Sequence, residues 1–112
     1  MTTSTIVSSI SYNQNQGGAV VPAPSIVNAG AVVAQRVYTL TVSPTSGWAK
    51  ASYAEGTDGV NYPRGGEVFV APNSGGSAID AVATVDPPMR YMTGQITEVG
   101  PAGATATLTV SY

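Results

Sequence analysis

Ala104-Thr105-Ala106-Thr107-Leu108-Thr109-Val110-Ser111-Tyr112 ends the sequence. Apolar side chains stand at every even position and hydroxyl side chains at every odd one. A repeat of two is the signature of a pleated strand with one dry face and one wet face. Nothing in the stretch suits a helix, because Thr and Val lose side-chain freedom there and favour strands.

Working backwards, the same repeat recurs. From about Val32 to Val42 the even face carries Val32, Ala34, Tyr38, Leu40 and Val42, with Arg36 interrupting it. Val37, Thr39 and Thr41 form the other face. Ser43-Pro44-Thr45-Ser46-Gly47 is a turn by composition, and a strand follows from Trp48 to about Glu55. Gly56-Thr57-Asp58-Gly59 reads as a hairpin turn, since Asp-Gly tolerates positive φ. Val60-Asn61-Tyr62 begins a return strand, Pro63-Arg64-Gly65-Gly66 breaks it, and Glu67 to Val70 resumes it. After the loop 71–77, Ala78 to Val85 reads as a strand with Ile79, Ala81, Ala83 and Val85 on its apolar face. Asp86-Pro87-Pro88 stops it, because proline cannot donate to a ladder. Arg90 to Val99 is the penultimate strand, and Gly100-Pro101-Ala102-Gly103 turns into the last.

This spacing predicts an all-β fold, an antiparallel β-sandwich or jelly roll of about six to eight strands. The first third is less regular. Ile6, Ser8, Ile10 and Tyr12 line one face of a first strand, Asn13 to Pro24 is a polar connection, and Ser25 to Asn28 holds a short strand. Residues 1–30 are therefore read as an N-terminal strand with an irregular extended arm, and residues 31–112 as the sandwich core of one domain. The arm either pairs with a neighbouring subunit's sheet edge or forms the first hairpin of the same sandwich.

The chain has 112 residues, enough for one domain with a modest core. Only 9% of residues are charged, against about 25% in ordinary soluble domains. So little charge is poor protection against self-association and points to a surface largely covered by partners; a neutral, soluble monomer is the alternative. Net charge is −2 and the sequence pI about 4.6. The basic residues Arg36, Lys50, Arg64 and Arg90 are scattered, whereas nucleic-acid binding needs clustered cations. No apolar run is long enough for a membrane helix, and no secretory signal is visible.

Catalytic equipment is sparse. Histidine and cysteine are both absent, which removes zinc sites, thiol nucleophiles and the commonest general base. A Ser-Lys pair would need Lys50, which stands alone in a strand, and Gly65-Gly66 and Gly75-Gly76 lack the strand-helix context of phosphate loops. Nothing in the spacing of Glu55, Asp58, Glu67, Asp80, Asp86 and Glu98 pairs two of them as a glycosidase requires. A calcium site would draw on Asp58, Asp86 and loop carbonyls, but no acidic loop has the required density. The expectation is no enzyme, no metal and no cofactor.

Trp48-Ala49-Lys50-Ala51-Ser52-Tyr53, Gly56-Thr57-Asp58-Gly59-Val60-Asn61-Tyr62, Pro88-Met89-Arg90-Tyr91-Met92 and the closing Ala104 to Tyr112 strand follow one another in a familiar layout. Across roughly residues 48–112 this resembles the small β-sandwich structural proteins of tailed bacteriophages. The resemblance implies a virion structural protein, a capsid decoration (cement) protein. Such a chain is made in the host cytoplasm and sits on the capsid surface, bound to major capsid protein and to copies of itself as a homotrimer. It implies no active site, and it implies a segment gripping the shell; Ile6, Val7, Ile10 and Tyr12 are the candidate contacts. The same layout also resembles carbohydrate-binding sandwiches. In that alternative, a head-fibre or tail-associated receptor binder, Trp48, Tyr62 and Tyr91 are stacking rings on one exposed concave patch. A tail or baseplate component is the second alternative.

Overall fold

A computed structural model describes residues 2–11, 26–28, 35–83 and 89–112. The closing repeat becomes β8 (Thr105–Ser111), and its parity is as the sequence sets it: Ala106, Leu108 and Val110 are buried, with Ala104 buried just before them. β8 lies between β1 (Thr3–Ser11) and β3 (Gln35–Ser43), pairing antiparallel with both. Leu40 opposes Leu108 and Tyr38 opposes Val110, so apolar side chains meet on one face of the sheet. β6 (Ser77–Ala83) pairs with the far side of β3 and completes a sheet of order β1-β8-β3-β6, called sheet A here.

The second sheet, sheet B, has the order β2-β7-β4-β5. Its members are β2 (Val27–Asn28), β4 (Trp48–Gly56), β5 (Arg64–Val70) and β7 (Tyr91–Gly100). Ala49, Ala51, Val68, Val70, Met92, Ile96 and Val99 turn inward against sheet A. The fold is thus an antiparallel β-sandwich, with eight strands and no helix among the described residues. Burying a leucine or isoleucine between the sheets contributes about 1.5–3 kcal/mol each. The chain crosses between the sheets at 44–47, 71–76 and 101–104, which gathers those three turns at one end. Peptide bonds Ser43–Pro44 and Gly100–Pro101 are cis.

Several strands depart from simple alternation. In β1 the ladder shifts between Thr5 and Val7, and both Ile6 and Val7 are buried. A bulge supplies the extra residue, so Val7 joins Ile6 in the core. The ladder shifts again between Lys50 and Ala51, where Thr97 of β7 has no opposite number. Ile96 and Val99 therefore both point inward although three positions apart.

Two sequence expectations are corrected. The return strand does not begin at Val60: 57–63 is loop, and β5 runs unbroken from Arg64 through Gly65 and Gly66. Gly66 faces the Tyr53 hydroxyl so closely that a Cβ there would collide with it. The glycine leaves room for a ring and is no strand breaker. β6 also faces the other way. Ile79, Ala81 and Ala83 lie outside, with Ile79 67% exposed, while Ala78 and Val82 pack inward. The reason is Asp80, whose carboxylate accepts a hydrogen bond from Tyr53 in the space between the sheets. Side chains alternate, so seating Asp80 inside puts Ile79 and Ala81 outside. The Val32–Ala34 start of β3 and Asp86-Pro87-Pro88 lie outside the described residues.

Candidate functional site: a buried polar clamp and two unlike faces

Polar side chains converge between the sheets at the end opposite the three turns. Arg36, which interrupts the apolar face of β3, and Glu55, near the end of β4, are both fully buried. Arg36 Nε donates to Glu55 Oε2 at 2.5 Å and Nη2 to Oε1 at 3.2 Å, a two-pronged charge-assisted contact. Tyr38 Oη donates to Glu55 Oε2 at 2.7 Å. The Tyr38 ring stacks on Tyr53, with centroids 3.8 Å apart and planes 9° apart, and Tyr53 Oη donates to Asp80. The chain of contacts Arg36–Glu55–Tyr38–Tyr53–Asp80 runs from β3 to β4 and on to β6. Burial, then the hydrogen bond to Glu55, holds the Tyr38 phenol far above its usual range. Burial, then the bond to Asp80, does the same for Tyr53. Arg36 Nη1 has no hydrogen-bond partner among the described residues. Arg36, Tyr38 and Glu55 are sealed from solvent, and the cluster ties the two sheets together.

In the sequence Arg36 shows only as a break in the apolar face of β3. Glu55 sits on the inward parity of its strand, but pairing the two requires knowing that the ends of β3 and β4 overlie one another.

At the same end, Asp58 organises the 57–63 loop. Its Oδ1 accepts the backbone N–H groups of Val60 and Asn61 at 2.8 Å, and its Oδ2 accepts Asn61 Nδ2 at 3.1 Å. Gly59 follows with φ +77°, a conformation that favours glycine. Tyr62 Oη donates to Gly59 O at 2.9 Å, Tyr91 packs beside Gly59, and the Arg90 guanidinium lies 5.2 Å from the Tyr91 ring centre. Tyr62 and Tyr91 are thus near neighbours, both half-buried. Trp48 is not with them. It lies against Gly100 at the other end of β4, whereas Gly56 opposes Tyr91. Eight residue steps of strand separate the two ends, roughly 26 Å. The three rings do not form one patch.

The candidate shell-gripping residues lie on or just beyond β1. Ile6 and Val7 are core residues. Ile10 pairs with Ala106 through its backbone, and Tyr12 lies outside the described residues. Asp58 is committed to its own loop, Asp86 lies outside the described residues, and no group of three acidic side chains close enough for a metal occurs among the described ones.

The two outer faces differ in kind. Sheet B exposes Lys50, Glu67 and Glu98, with Lys50 Nζ 3.7 Å from Glu67 Oε2. It also has a shallow open depression of about 240 Å³ beside Ser52, Ala54, Thr93 and Gln95, smaller than ordinary ligand pockets. Sheet A presents no charged side chain on its outer face among the described residues. One row across its strands reads Thr5, Thr109, Thr39, Ile79. The next reads Thr3, Ser111, Val37, Ala81. Thr41 stands between Thr107 and Ser77 in a third. Some of these hydroxyls have partners within the sheet: Thr3 Oγ1 lies 2.9 Å from Ser111 Oγ, and Thr41 Oγ1 reaches Thr107 O at 3.5 Å.

Nothing among family models, curated proteins or solved structures matches this chain.

Proposed function

We propose that this chain is a structural protein that acts by covering, and being covered by, other protein surface; the specific role is capsid decoration on a tailed phage. One observation carries the reading: among the described residues, the outer face of sheet A runs across four strands without a charged side chain, while sheet B keeps its charges in water. Exposed, uncharged sheet invites association, and natural sheets that remain free carry charge to prevent it. Small Thr, Ser and Ala side chains are cheap to immobilise and permit close approach of a second surface. Many weak contacts of this kind on a repeating lattice add up to strong bracing.

The carbohydrate-binder reading draws less support, because Trp48 stands about 26 Å along β4 from Tyr62 and Tyr91. Imaging of the purified particle that carries this protein tests the proposal. Copies repeating across the head lattice are expected. Copies confined to a tail, or none in any particle, refute the decoration role.

A further inference from the structure

We infer that β6 is a two-position strand: the hydrogen bond from Tyr53 to Asp80 holds the facing seen here, and without it β6 slips one residue along β3, turning Ile79, Ala81 and Ala83 inward and Asp80 out. A one-residue slip exchanges the two faces of a strand completely, because side chains alternate. Three observations carry the inference. First, β6 is an edge strand. Among the described residues it pairs with β3 alone, over seven residues, with no bulge to pin the register. Second, its more apolar face is the outer one. Ile79, Ala81 and Ala83 lie outside, with Ile79 67% exposed, while the inward set is Ala78, Asp80 and Val82. Burial of apolar surface therefore favours the opposite facing. Third, one contact opposes that preference. Asp80 stands opposite Tyr38 in the ladder and accepts from Tyr53, and among the described residues no cation pairs with it; the ion pairs are Arg36–Glu55 and Lys50–Glu67. A hydrogen bond to a carboxylate is among the strong ones, and losing the phenol leaves a charge turned inward without its donor. The turn before β6 has room for the change, since Gly75 borders open space, and the Val42 N–H bond to Gly76 O is remade one residue along. The slip alters what sheet A shows: Ile79 leaves its outer face and the Asp80 carboxylate enters it. A phenol on sheet B thus decides whether that face carries charge, and the register does not depend on what the face binds.

The chain has no cysteine, so single cysteines report facing without interference. Position 81 faces out and position 82 faces in. Thiol labelling of the full chain is expected to be fast for Ala81→Cys and slow for Val82→Cys. Adding Tyr53→Phe, or separately Asp80→Ala, is expected to reverse the order, slowing Ala81→Cys and quickening Val82→Cys by at least about 10-fold each. Val110→Cys, buried in β8, is expected to stay protected in both backgrounds. A native order that survives in either background overturns the inference, because other contacts then set the facing. Fast labelling at both β6 positions, or loss of protection at Val110→Cys, also overturns it, because the strand or the sandwich then melts instead of slipping. The readout is strand facing alone, so it is separate from whether the protein is found on any particle.

Discussion

Single residues decide how the sandwich holds together. Glu55 is the hinge of the buried clamp, accepting from both Arg36 and Tyr38. Glu55→Gln leaves the Arg36 charge uncompensated in the interior, so chemical denaturation is expected to show a loss of about 3–5 kcal/mol. Adding Arg36→Met to Glu55→Gln removes the stranded charge and is expected to recover much of that loss. Gly66→Ala places a methyl against the Tyr53 hydroxyl and is expected to cost about 1–3 kcal/mol. Tyr53→Phe removes that oxygen, so the penalty of Gly66→Ala shrinks in its background; a double-mutant cycle checks the coupling. Two pH dependences follow from the same chemistry. The backbone N–H groups of Asn61 and Val60 and the Asn61 amide hold the Asp58 carboxyl below its usual value. The unfolded chain lacks these donors and takes up its proton first, so the stability they add is complete above about pH 4 and is lost as pH falls through the folded value. The stability advantage of wild type over Asp58→Ala is therefore expected to shrink in acid. Tyr38 and Tyr53 run the opposite way. Their folded values are raised, so the unfolded chain alone ionises above about pH 10 and stability falls from there upward. Alkaline titration of tyrosinate absorbance is expected to show both phenols ionising only with unfolding.

Elements were legible where alternation was strict and local. In β3 and β8 the even positions are buried in the sandwich and, Arg36 apart, apolar by sequence, and the turn at 101–103 falls where Pro and Gly place it. β6 was not legible, because its apolar alternation belongs to the outside. Its facing is fixed by one carboxylate finding a phenol on β4, a contact between strands far apart in sequence. The clamp stayed hidden for the same reason: Arg36 and Glu55 each sit on an inward parity, but their meeting depends on how the sheets overlie. The bulges in β1 and β7 leave no mark in composition either. Burial on β6 and β8 gives a direct comparison. Ile79→Ala is expected to change the stability of the isolated chain by less than about 0.5 kcal/mol, as for exposed sites. Leu108→Ala is expected to cost about 2–5 kcal/mol. Equal costs at the two sites would show that β6 faces inward after all.

For the molecule as a whole, β8, β3 and β4 are each paired on both sides over most of their length. Amide exchange is expected to be slowest there and faster in β5 and β6, whose outer edges lack a paired strand among the described residues. The Lys50–Glu67 ion pair is exposed and adds at most about 1 kcal/mol, so moderate salt should barely move the unfolding midpoint. The two outer surfaces nonetheless answer to different agents. Dissolved ions screen the side bearing Lys50, Glu67 and Glu98; across the sandwich no described residue offers them a charged side chain. A layer tiled from such slabs has a top and a bottom before any neighbour is chosen: one side tuned by ionic strength, the other indifferent to it.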